Sequence, residues 1–354
     1  MKKTLLAILA TVAMVACSND EIVREAAPEA IGFDNAFVNN STRSVNDPSL
    51  TIGTLEDFAV YGFVENAVLF NGNEVAKNIE NDDLSQAWKY AGTQYWIAGA
   101  NYDFYAVAPY NGNWAIKTGT TPASTGAQIS FTNVNGTQDL LYSGIVECEG
   151  EVSGNDAVAF TFKHILSKVK FSFENGYNAS TATIRVRDIK ITNAYATGVA
   201  TLGADAATWD EQDGVITDGV AFGNAYDDEA TDAKESAEVA YAYGDTYESL
   251  NERFLIPSVS RDYTVSFVVD LYINDQLIDV NAKDNETGYE HTATVTFAPQ
   301  AGHSYDIKAT INATNIDPNH AQEPIEFTVT PITDWGTTES VEGGNDDEDN
   351  VVIN

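Results

Sequence analysis

Residues that build covalent or metal-centred sites are scarce in this 354-residue chain, which has 2 cysteines, Cys17 and Cys148, and 4 histidines, at positions 164, 291, 303 and 320. No CxxC and no HExxH pair occurs, so a zinc site has no support in the sequence. Each histidine reads as a satisfied surface or loop residue. A G-x-S-x-G elbow, a GxGxxG turn after a strand and a P-loop are also missing, which leaves the common hydrolase and nucleotide-binding signatures unfilled. Positive charge is short: 18 Lys+Arg stand against 53 Asp+Glu, a formal charge of −35. Phosphate recognition needs basic clusters, so nucleic acid is a poor partner. Carboxylates are too numerous for any pair to stand out as a glycosidase dyad. Asp346-Asp347-Glu348-Asp349 lacks the spacing of an EF-hand loop and reads as a solvated acidic tail. Long apolar runs are lacking too. The longest, residues 5–16, is about twelve residues, against roughly twenty needed to cross a bilayer as a helix. No enzyme, metal or cofactor is expected.

Lys2 and Lys3 followed by that apolar run read as a leader of residues 1–16. Val15-Ala16-Cys17 resembles the lipobox of bacterial lipoproteins, with Met14 where the pattern prefers Leu. The resemblance implies cleavage before Cys17, diacylation of its thiol and attachment to a membrane, since each buried CH₂ contributes on the order of 0.8 kcal/mol. Cys148 is then left without an intrachain partner. Ser18-Asn19-Asp20-Glu21 resembles the short acidic signal that sends some lipoproteins to the outer face of the outer membrane. Residues 17–30 read as a flexible tether.

From residue 31 onward the chain carries the cadence of an all-β protein, short β-branched and aromatic runs divided by Gly, Asn and Asp. Ile31, Phe33 and Phe37 recur at period two on one face, with Asn35 as the flaw. A polar loop over 39–48 follows, then strands over 55–64, 87–90, 102–107, 139–142, 157–163 and 169–173. A second series covers 183–191, 253–256, 263–273, 276–280, 292–297, 305–312 and 325–332. The span 193–250 reads as a long loop with at most a short strand. Turn residues at Asn175-Gly176 divide an N-terminal antiparallel β-sandwich domain over 31–175 from a second over 176–354.

Four features in this order resemble the fimbrillin family, lipoprotein precursors of type V fimbriae. They are the lipobox; an Ile-x-Phe strand leading to Thr42-Arg43; the aromatic series Trp88-Lys89-Tyr90, Tyr95-Trp96, Tyr102-Asp103-Phe104-Tyr105-Ala106 and Pro109-Tyr110; and Phe162-Lys163-His164-Ile165-Leu166-Ser167-Lys168-Val169. A looser echo is Ile325-Glu326-Phe327 with Ile332-Thr333-Asp334-Trp335. The resemblance implies two transthyretin-like β-sandwich domains and assembly by strand exchange. An Arg-specific protease cuts beyond the first strand, and another fimbrial subunit's strand fills the opened groove. Arg43 matches the cleavage position. Arg24 is the rival, and a cut there would release the lipid while leaving the first strand in place. Strand 31–38 would be the removable plug, with Ile31, Phe33 and Phe37 as its core residues. The donor is either the strand carrying Ile325, Phe327 and Val329 or the tail after Trp335. Other fimbrial subunits, the protease and the outer membrane are the implied partners.

An alternative function needs no assembly. Trp88, Tyr90, Tyr95, Trp96 and Trp114 would form a sugar platform on a surface glycan-binding lipoprotein, if several of these rings share one exposed face.

Overall fold

The computed structural model describes residues 28–38, 49–51, 53–65, 67–77, 88–117, 127–179, 181–225, 243–278, 289–316 and 323–334. The first ten strands are β1 (Phe33–Val38), β2 (Asp57–Val64), β3 (Ala67–Lys77), β4 (Trp88–Tyr90), β5 (Asn101–Ala108), β6 (Trp114–Lys117), β7 (Gln128–Thr132), β8 (Leu141–Tyr142), β9 (Val146–Glu149) and β10 (Val158–His164). There follow β11 (Ser167–Asn175), β12 (Ala182–Ile191), β13 (Tyr195–Leu202), β14 (Ala207–Val215), β15 (Val220–Ala225) and β16 (Thr246–Glu248). The last are β17 (Arg253–Leu255), β18 (Arg261–Ile273), β19 (Gln276–Leu277), β20 (Tyr289–Phe297), β21 (His303–Ile311), one helical turn α1 (Ala313–Ile316) and β22 (Phe327–Asp334).

An eight-stranded sheet of order β1-β10-β8-β5-β2-β3-β4, with β9 beside β5, makes up most of the first half. It curls on itself. Phe58, Val60, Phe70, Tyr102, Phe104, Phe160 and Phe162 from its strands meet in one aromatic core on its concave face. Gly62 allows this curl, because a Cβ there would lie 2.8 Å from ring carbons of both Phe70 and Phe104. The opposite face of the same sheet gives Ala59, Tyr61, Phe63, Tyr105 and Val107 to a second core. That core is covered by a four-stranded sheet of order β14-β13-β7-β6. β2 and β5 are thus buried on both faces, which is why they read as unbroken apolar runs rather than alternating ones. β10, facing solvent on one side, alternates strictly between buried and exposed positions.

A third core lies between two five-stranded sheets, β16-β11-β21-β22 with β17 beside β11, and β15-β12-β18-β19 with β20 beside β18. Most pairings are antiparallel, but β1–β10 and β11–β21 are parallel. The span read as a long loop over 193–250 instead holds β13, β14, β15 and β16. Its Ala- and Gly-rich composition conceals the pattern. Gly198 lets Ile256 and Trp209 approach to 2.7 and 2.9 Å of where a Cβ would be, so close packing here uses small residues rather than β-branched ones. β11 ends at Asn175, and the hairpin β13–β14 from beyond that point shares a sheet with β6 and β7 from before it.

Candidate functional site

Where the curled sheet would be open, residues 29–38 close it. Glu29 accepts the Trp96 N–H at 2.9 Å on its carbonyl, and Ile31 donates its N–H to the Gln94 carbonyl at 2.8 Å. Ala30 bridges antiparallel to Tyr95 between them. At Gly32 the segment changes neighbours: its carbonyl accepts the Val158 N–H at 2.9 Å, and β1 then runs parallel to β10. The Tyr90 hydroxyl donates to the Ile31 carbonyl at 2.9 Å and accepts the Gln94 N–H at 3.1 Å. The Glu29 carboxylate accepts the backbone and side-chain N–H groups of Asn155, both at 2.9 Å. Those two bonds hold the Glu29 carboxyl below its ordinary pKa.

The segment also supplies core. Ile31 and Phe33 are each 2% exposed. Phe33 stacks on Phe160 at 5.8 Å and meets the edges of Phe70 and Tyr90 at 5.5 Å and Phe104 at 6.2 Å. At about 1.5–3 kcal/mol per large side chain, the two residues contribute roughly 3–6 kcal/mol as an upper bound. The side chain of Phe37, the third expected plug residue, lies outside the described ones, as do Cys17, Arg24 and Arg43. A bulge falls between Asp34 and Phe37, so the register sets Phe37 opposite Thr161 and Val38 opposite Phe162. The polar Asn35 that breaks the period-two pattern lies inside that bulge.

Toward the other end of the chain, β22 is an edge strand, paired among the described strands with β21 alone. Ile325 just before it is buried, and Phe327 and Val329 pack on the third core. Phe327 meets Phe171, Phe267 and Phe173 at 5.8, 5.9 and 6.0 Å. The rings expected to form a sugar platform are divided between cores. Trp88 and Trp96 are 6% and 7% exposed within the aromatic core. Trp114 packs on the second core and donates its indole N–H to the Pro109 carbonyl at 2.7 Å. Of the five, Tyr95 is the one exposed ring, at 47%.

His164 departs from the surface role read for it: it is buried, with Nδ1 2.8 Å from Asp139 Oδ2 and both side chains wholly out of solvent. Its place in the buried series 158, 160, 162, 164 of β10 was the available signal. Lys168 of the same motif is buried against Glu252 at 3.0 Å, a pairing with no local trace in the sequence. His303 is half-buried, its Nδ1 2.9 Å from the Ala301 carbonyl; His291 is half-buried and stacked on Phe267. His320 lies outside the described residues. No described helix is long and apolar enough to cross a membrane.

Among curated proteins none matches the chain. Solved structures do. A candidate cell adhesion protein of Bacteroides ovatus is 16% identical, with 88% of this chain and 99% of that one covered and a TM-score of 0.45. One of Bacteroides uniformis is 15% identical over 87% and 98%, with a TM-score of 0.42. A protein of Bacteroides thetaiotaomicron described as a candidate polysaccharide-binding protein is 12% identical over 80% and 92%, at 0.35. The sequence profile described as fimbrillin-like matches residues 42–335, beginning just past the closing strand and running to the Ile332–Trp335 echo. That match spans most of the chain, and the protein belongs to the fimbrillin-like family.

Proposed function

We propose that this chain is the precursor of a structural subunit of a type V fimbria that supports adhesion at the bacterial surface. Two β-sandwich domains make up its body. It is held on the outer membrane through a lipid on Cys17, then opened by an Arg-specific protease after Arg43. The observation that carries this reading is the closing strand. Two fully buried core residues, Ile31 and Phe33, belong to a segment joined to the rest of the fold through the polar stretch 39–48 that contains Arg43. Cutting there removes the covalent link while leaving a groove edged by β10 and residues 94–96, and that groove accepts a strand from another subunit by main-chain pairing.

Two donors compete on energetic grounds. Ile325-Glu326-Phe327 repeats the Ile-x-Phe spacing of Ile31-Gly32-Phe33, so β22 with Ile325 offers an Ile and a Phe at the spacing of the two vacated sites. Peeling β22 away, however, exposes Ile325, Phe327 and Val329, and the exchange comes out near even. A donor drawn from residues 335–354 keeps β22 on the third core but offers only Val351-Val352-Ile353 as an apolar run.

The test is mild trypsin treatment of the leader-less protein, with mass spectrometry of the cut and native-gel sizing over several days. Cleavage after Arg43 followed by a ladder of oligomers is expected, and Arg43→Ala removes both. A clean cut with no ladder points to a tip or accessory subunit. Resistance at Arg43 overturns the maturation step and brings the glycan-binding reading forward.

A further inference from the structure

Beyond the plug and residues 39–48, the described chain resumes at Ser49, and its attachment there is of a different kind. Ser49 and Thr51 are buried, and Leu50 packs on the aromatic core. The Leu50 N–H donates to Asp139 Oδ2 at 2.8 Å, across 89 residues of sequence. That same oxygen is 2.8 Å from His164 Nδ1, and Asp139 Oδ1 accepts the Leu140 N–H at 2.8 Å. A carboxylate with no solvent contact is tolerated only with such partners. Thr51 and Thr54 then turn the chain toward β2, with the Leu55 N–H donating to the Thr51 carbonyl at 2.7 Å. Wholly shielded from solvent, the Asp139–His164 pair is not placed to meet a substrate. It joins the end of β10, the strand that borders the plug, to Leu50, among the first described residues past the 39–48 stretch.

We propose that Asp139 and His164 form an internal clasp that fixes the start of the retained body. Opening the chain between residues 38 and 49 then frees the plug alone, and the retained body stays fixed from Leu50 onward. Without the clasp, residues 49–51 would be free to fray and Leu50 to leave the aromatic core. The inference rests on the proposed maturation only for what the cut is for; the clasp itself is testable without it.

The experiment places a cleavage sequence for a site-specific protease after Asn40 and follows amide hydrogen exchange residue by residue before and after the cut. Ile31 is expected to lose its protection on cutting while Leu50 keeps it. In Asp139→Leu, Leu50 is expected to exchange about ten-fold faster or more, both before and after the cut. If that variant does not fold, His164→Asn, which keeps a nitrogen donor close to the position of Nδ1, is compared with His164→Leu. The first retains protection at Leu50 and the second loses it. Leu50 deprotecting together with Ile31 in the wild type, unchanged exchange in Asp139→Leu, or equal exchange in the two His164 variants overturns the clasp. None of these readouts depends on polymer formation or on Arg43.

Discussion

Phe33 touches rings from five other positions of the curled sheet, and truncating it leaves a cavity that rigid aromatic neighbours cannot fill. Phe33→Ala is expected to cost about 3–5 kcal/mol, read as a lower urea midpoint with an unchanged slope. After a cut in residues 39–48 the same substitution should no longer matter, because the plug has left. His291 sets a pH dependence of its own. Burial holds its pKa down to about 4, from an ordinary value of 6.5. Between those values the unfolded chain takes up a proton that the folded chain refuses. Stability is therefore greatest above pH 6.5 and falls as the pH drops toward 4, by at most roughly 2–3 kcal/mol, less because the ring is only half-buried. His291→Gln should flatten that decline in denaturant melts run at pH 7 and pH 5.

Among the elements, β22 and the tail make opposite predictions. Ending the chain after Asp334 keeps every described residue of the third core, so a cooperative unfolding transition should persist in urea melts. If the tail is the donor, the ladder disappears; if β22 is, the ladder persists. The sequence revealed the longer elements with a clear apolar pattern, while the short alternating strands β6, β7 and β9 went unread. β10, β12 and β18 alternate and were readable, as was the first strand through Ile31 and Phe33. β3 was missed because Asn71-Gly72-Asn73 breaks its pattern, with Gly72 at a φ of 76° over the ring of Tyr61. β13 and β14 were missed because Gly198, Ala200 and Ala207 take inward positions, and β15 because its buried Val220 and Phe222 form too short a run to stand out. The parallel setting of β1 on β10 left no mark in the residues, since pairing direction is fixed by where the chain returns from. The Asp139–Leu50 bond is likewise a product of tertiary return: an acid followed by Leu140-Leu141-Tyr142 gives no local hint of a backbone partner 89 residues away.

For the molecule as a whole, charge and burial act on different steps. Copies of a chain with a formal charge of −35 repel one another on approach, and added salt screens that repulsion over about 10 Å at 0.1 M. Ladder growth after cutting should therefore speed up several-fold between low and moderate salt, followed by native gel, while the cut itself should not. Lys168 and Glu252 are buried opposite each other where β11 meets β17. Lys168→Met leaves the Glu252 carboxylate without its ammonium and should cost about 3–5 kcal/mol, most of it recovered by adding Glu252→Leu. β10 passes into β11 through Ile165 and Leu166 alone. β1 lies parallel to the first, and β21 lies parallel to the second over eight consecutive registered pairs. Tension applied along this line loads both ladders in shear, so their bonds must fail together rather than open one after another. A strand seated in the β1 position would inherit that geometry, and a fibre joined in this way resists being pulled apart lengthwise far better than it resists having a strand peeled from its side.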